Sequence, residues 1–200
     1  MVGTIGPVVH RATGINGVMI LGIHTFGYVA SGIGTGFALY GVQRLAFGHM
    51  LNEKIGIGSV SVLALVYSIG ESGIFRVPMP QFTAQVPASW QFFSPGTMAL
   101  LYGLGLGCGF ATRITVSTFY VAAAWALVCD SPSSAGFTLG CFGLGRALPI
   151  WLSLKSYAFC SRASEAALFL KNAIHMINSL ALSAAGSGLL WSLIYCNGRC

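Results

Sequence analysis

Long apolar runs, broken at uneven intervals by single charges, organise this chain. The first uncharged run extends from Ala12 to Gln43, between Arg11 and Arg44. A helix rises about 1.5 Å per residue, so about 20 apolar residues cross the hydrocarbon core of a bilayer; this run crosses with length to spare. The second run, Ile55 to Gly70, ends at Glu71 and Arg76. From Arg76 to Gln91 the chain turns polar, and Pro78, Pro80 and Pro87 forbid a regular helix there. Trp90, Phe92 and Phe93 suit the aromatic belt at a membrane interface. The third run goes from Phe92 to Thr112, and Arg113 separates it from the fourth, Ile114 to Cys129. The fourth spans only about 24 Å as a helix, short for a crossing. The fifth is Ser134 to Leu154, with Arg146 and Pro149 inside it. A polar connector holding Lys155, Arg162, Glu165 and Lys171 leads to the sixth, Ala173 to Tyr195. The pattern predicts an all-α, polytopic integral membrane helical bundle of about six spans, one transmembrane domain over residues 1–200.

Composition supports this reading. Hydrophobic residues make up 55% and charged residues 7% of the chain, against roughly 25% charged in a soluble domain. Too few charges exist to build a water-facing surface, so membrane lipids are the expected surroundings. The 27 glycines point to helices whose backbones approach closely, and other membrane subunits are further candidate partners. The net charge of +6 does not imply nucleic acid, because the basic residues are scattered between apolar runs and form no stripe. They read instead as topology signals. Arg44, Lys54, Arg113, Lys155, Arg162 and Lys171 fall on one side of a six-span chain, and Arg11, Arg76 and Arg199 on the other. That bias predicts a bacterial inner-membrane protein with both termini on the non-cytoplasmic side. The first run is longer than a signal-peptide core and reads as a retained span.

Several positions carry candidate chemistry. Gly32 and Gly36, Gly103 and Gly107, Gly105 and Gly109, and Gly136 and Gly140 all have small-xxx-small spacing, which fits either ordinary helix packing or a pathway lined by close helices. Alternate glycines from Gly103 to Gly109 make a poor helix interior and suggest helices that are either broken or closely packed. Arg146, at membrane depth between Gly143 and Pro149, is either a substrate or lipid contact, a partner of Glu71 or Asp130, or a cap on backbone carbonyls near a proline kink. With Arg113, Gly105, Gly107 and Pro149 it outlines a candidate substrate or lipid pathway. Cys108 and Cys141 are a candidate redox pair, and Cys196 and Cys200 flank an Asn-Gly turn that suits a disulfide outside the cytoplasm. His24 lies within the first run as a weak metal-ligand candidate or a hydrogen-bond partner, with no second histidine at helical spacing. Nothing in the sequence assigns a cofactor. Soluble-type catalytic and nucleotide-binding signatures are absent.

Two echoes, Thr25–Ala30 with Thr118–Ala122 and Gly36–Leu39 with Gly136–Leu139, suggest a 3+3 inverted repeat. The segments Tyr102–Ile114 and Gly143–Pro149 resemble the DsbD/CcdA superfamily of membrane proteins. The resemblance implies six spans in two inverted repeats and the movement of reducing equivalents, for thiol-disulfide chemistry and cytochrome c biogenesis. That family places a redox cysteine beside a proline in the first span of each repeat, whereas the first run here has no cysteine and Cys108 has no adjacent proline. Three functional readings follow: a carrier of reducing equivalents or a small solute, a non-catalytic subunit of a larger membrane complex, and an ion or metal permease.

Overall fold

A computed structural model describes residues 15–48, 53–75, 77–79, 87–109, 117–154 and 163–197. They form six helices, and no strand occurs among them: α1 (Ile15–Phe47), α2 (Glu53–Glu71), α3 (Pro95–Gly107), α4 (Thr118–Ala126), α5 (Pro132–Leu154) and α6 (Ala163–Asn197). A short 3-10 turn over Ala88–Phe92 precedes α3.

The all-α expectation holds, but the six spans do not all appear. Three helices are long and apolar enough to cross a membrane: Gly17–Ala46 within α1, Glu53–Glu71, and Ala173–Tyr195 within α6. The third and fourth runs yield helices of 13 and 9 residues, reaching only about 20 and 14 Å against a core of about 30 Å. Local chemistry sets their limits. Ser94 caps α3 by accepting a hydrogen bond from the Thr97 N–H at 3.4 Å, ahead of Pro95 at the first helical position. Beyond Gly107 the chain leaves the helix, and Gly109 adopts a positive φ of 75° that a side chain would resist. The sixth run also begins earlier than expected: Glu165 and Lys171, assigned to a connector, lie within helix α6.

Gly103, Gly105 and Gly107 stay helical because tertiary packing outweighs their low propensity, and the helix stops within the same Gly-rich run, ahead of Gly109. Helix α1 runs through the middle of one group, with α3 and α5 packed against it. A Cβ on Gly27 would stand 2.9 Å from the Leu100 carbonyl oxygen, and one on Gly143 2.5 Å from that of Tyr28. Gly32 and Gly36 meet the backbone of α5 at Leu139 and Ala135, while Gly103 and Gly107 meet that of α1 at His24 and Tyr28. These small-residue spacings therefore mark helix packing. Gly105 points elsewhere, onto the Trp90 ring. The second group is the pair α2 and α6, and α4 bridges the groups by touching α1, α2 and α5.

Candidate functional site

Where α2 ends, α4 begins and α6 passes, the bundle encloses a carboxylate. The Glu71 side chain is only 2% exposed. Its Oε1 accepts two hydrogen bonds from Ser117, one from the backbone N–H at 3.0 Å and one from the hydroxyl at 2.6 Å. Ser117 is the N-cap of α4, so the carboxylate sits at the positive end of that helix. Oε2 is held by His175 Nδ1. Facing a carboxylate, Nδ1 is the donor, which leaves Nε2 as the accepting nitrogen of a ring that is one third exposed. Asn178 closes the cluster: its Nδ2 donates to Ser117 Oγ at 3.3 Å, and its Oδ1 accepts from Thr118.

A hydroxyl ladder continues from this cluster along α2 and α6. Ser68 Oγ lies 2.6 Å from Ser183 Oγ and donates to the Ser179 carbonyl at 2.8 Å, and Ser179 Oγ donates back to the Ser68 carbonyl at 2.9 Å. His175, Ser179, Ser183 and Ser187 recur every four residues on α6, which places them on one stripe.

The sites expected from sequence lie apart from this cluster. Arg146 donates to the Leu106 carbonyl at 3.0 Å, and its guanidinium stands 6.0 and 5.9 Å from the rings of Tyr28 and Phe142. It thus caps the C-terminal turn of α3, where a cation is favoured. Pairing with Glu71 or Asp130 is not what positions it: Ser117 and His175 hold Glu71, and Asp130 lies 16 residues back along the chain, about 24 Å on a helix axis. Gly107 packs on Tyr28 and Ser31, and Gly105 on Trp90. Cys108, Cys129 and Cys141 carry free thiols. Cys108 ends α3 and donates to the Gly105 carbonyl, whereas Cys141 is exposed on α5. Cys129, between α4 and α5, is buried, and burial pushes its thiol above the usual range. Arg113 and Cys200 lie outside the described residues, as do the side chains of Pro149 and Cys196.

His24 is fully buried and its Nδ1 lies 2.8 Å from the Ala99 carbonyl, tying α1 to α3. Its Nε2 has no hydrogen-bond partner among the described residues. No group of three metal-ligating side chains occurs among them either. The hydrogen bond is the role that the geometry gives this histidine.

The chain is similar to MauF. It is 27% identical over 168 residues to the methylamine utilization protein MauF of Methylophilus methylotrophus, covering 84% of this chain and 59% of that one. It is 32% identical over 128 residues to MauF of Methylobacillus flagellatus, covering 64% and 45%, and 30% identical over 132 residues to MauF of Paracoccus versutus, covering 66% and 48%. The chain spans about half the length of the curated relatives it matches. No family model matches it, and no solved structure does.

These relatives overturn the resemblance to the DsbD/CcdA superfamily, and with it the readings as a thiol-redox carrier, a cytochrome c biogenesis protein or a permease. The physical origin of the misreading is visible in α3 and α5. Gly103, Gly107 and Gly143 are glycines because the α1 backbone leaves no room for a Cβ. Close helix packing produces such Gly-rich segments without common descent.

Proposed function

We propose that this chain is a membrane-embedded helical protein of methylamine utilisation, with the Glu71–Ser117–His175–Asn178 cluster as its working site. The observation that carries the pathway is the similarity to MauF across 84% of the chain. The three apolar helices support the membrane location, and a surrounding of lipids accounts for the large hydrophobics exposed along α1, α2 and α6. The site reading rests on position. An acid sealed inside the protein with donors on both oxygens is costly to bury without a purpose, and Glu71, at the end of α2, is such an acid. In this reading the excess of Lys and Arg around Arg44 and Lys54 turns the α1–α2 connection toward the cytoplasm.

Growth tests this directly. Expressed in a methylamine-using host that lacks MauF, the chain is expected to fractionate with membranes and restore growth on methylamine. E71Q and H175Q are expected to reach the membrane at wild-type levels and to slow that growth at least tenfold. Failure of the wild-type chain to restore growth overturns the pathway; full growth with both variants overturns the site.

A further inference from the structure

The two oxygens of Glu71 are not equivalent. Oε1 already receives two protein hydrogens, from the N–H and the hydroxyl of Ser117. A proton placed on Oε1 would be driven against both donors. Oε2 faces one group, His175 Nδ1. The internal acid is therefore open to a proton at one atom only, and the group there is an imidazole whose ring is one third exposed while the acid is nearly sealed. Imidazole can accept a proton at one nitrogen and release another from the opposite nitrogen.

We propose that Glu71 and His175 form a proton-binding site in which His175 is the port and Glu71 the internal store. A proton from water bonds to Nε2. The hydrogen on Nδ1 then passes to Glu71 Oε2, so the Nε2–H and O–H bonds form as the Nδ1–H bond breaks. The products are a neutral carboxylic acid and the neutral imidazole in its other tautomer. One proton has entered, and one negative charge has been lost at the N-terminus of α4. Loading converts Glu71 from an ion held by three donors into an acid whose Oε2 now donates, which weakens the grip of Ser117 on Oε1. Ser117 and Asn178 couple that change to both α4 and α6.

The surroundings keep the assignment narrow. Of the titratable groups on the packed elements, Tyr67 of α2 and Tyr120 of α4 stack on one another at 5.9 Å. His175 of α6 is the described titratable group that touches the carboxylate. Lys54 lies at the far end of α2. The side chains of Arg76 and Lys171 lie outside the described residues. The site stands on this geometry and does not depend on the methylamine pathway.

Infrared difference spectroscopy on the full chain in lipid nanodiscs reads the store directly, because the chain has only four acidic residues. As pH is lowered, a carboxylic-acid C=O band is expected, and carboxyl-13C glutamate should shift it, which excludes Asp130. The band should persist in E53Q and in E165Q and vanish in E71Q. If E71Q does not fold, the isotope shift together with the E53Q and E165Q spectra makes the same assignment by elimination. After a pH jump the band should grow at least tenfold more slowly in H175Q, whose amide can still donate to Glu71 but cannot relay a proton. The proposal is overturned by a band that survives in E71Q, or by H175Q loading at the wild-type rate. Failure of any glutamate-sensitive band to appear before circular dichroism reports loss of helix overturns it equally.

Discussion

The two halves of this bundle are joined by opposite means. Around α1, helices lie backbone to backbone, and the contact surface is made by what is missing, the Cβ atoms of Gly27, Gly32, Gly36, Gly103, Gly107 and Gly143. Between α2 and α6 the helices are joined by what is present, hydroxyls, an imidazole and a carboxylate. The first kind of joint is intolerant of volume. The second tolerates volume better and responds to charge. In the proposed bilayer setting a helix pair gains little from hydrophobicity alone, since lipid is equally apolar, and each half has one of these devices. The polar one is the half that can carry chemistry.

Volume should break the first joint most severely. Gly36→Leu drives a side chain into the Ala135 backbone, which cannot rotate away, and should cost at least about 3 kcal/mol. The measurement is thermal unfolding in detergent; a transition within a few degrees of wild type would show that the α1–α5 contact is looser than described. Removing the acid is next. Glu71→Ala leaves the two Ser117 donors and His175 without their acceptor, at about 1–3 kcal/mol, and should expose α4 to protease before α3. Simultaneous cleavage of both would show that the two halves unfold as one. Ser68→Ala removes one rung of the ladder and should cost about 0.6 kcal/mol, read as a small drop in midpoint by the same assay. At the opposite limit, Gly34 faces open space, and Gly34→Ala should leave stability unchanged or raise it by up to about 1 kcal/mol. A clear loss there would mean that a partner covers this face of α1.

The sequence-level reading succeeded where hydropathy alone decides. The runs that become α1, α2 and the core of α6 are long and apolar, and their helices appear close to the expected places. It failed for α3 and α4, because hydropathy does not register where a helix stops. The Ser94 cap and the positive φ at Gly109 do that, inside a run that looks continuous. The site was half legible. Glu71 stood out as a charge at the end of a run, and the stripe of His175, Ser179, Ser183 and Ser187 was readable from its four-residue spacing. Their meeting was not, since Glu71 and His175 are 104 residues apart and neither run indicates which helix it will face. Arg146 attracted attention as an isolated charge inside an apolar run, but a backbone carbonyl was available to it.

The four-residue repeat on α6 leaves one question of alignment to the polar cluster at its end. A ladder of identical serines resembles a ruler with unnumbered marks: moving α6 by one turn would bring Ser183 and Ser187 opposite Ser68 in place of Ser179 and Ser183, with hydroxyl again facing hydroxyl. Such a slide costs the ladder little, and the apolar outer face of α6 would not register it. The numbered marks are His175 and Asn178: a one-turn slide puts a serine opposite Glu71 and Leu182 in the place of Asn178 beside Ser117. The carboxylate and its neighbours thus fix how far α6 sits along α2, and the residues that meet through a proton also help set the phase of the longest described helix.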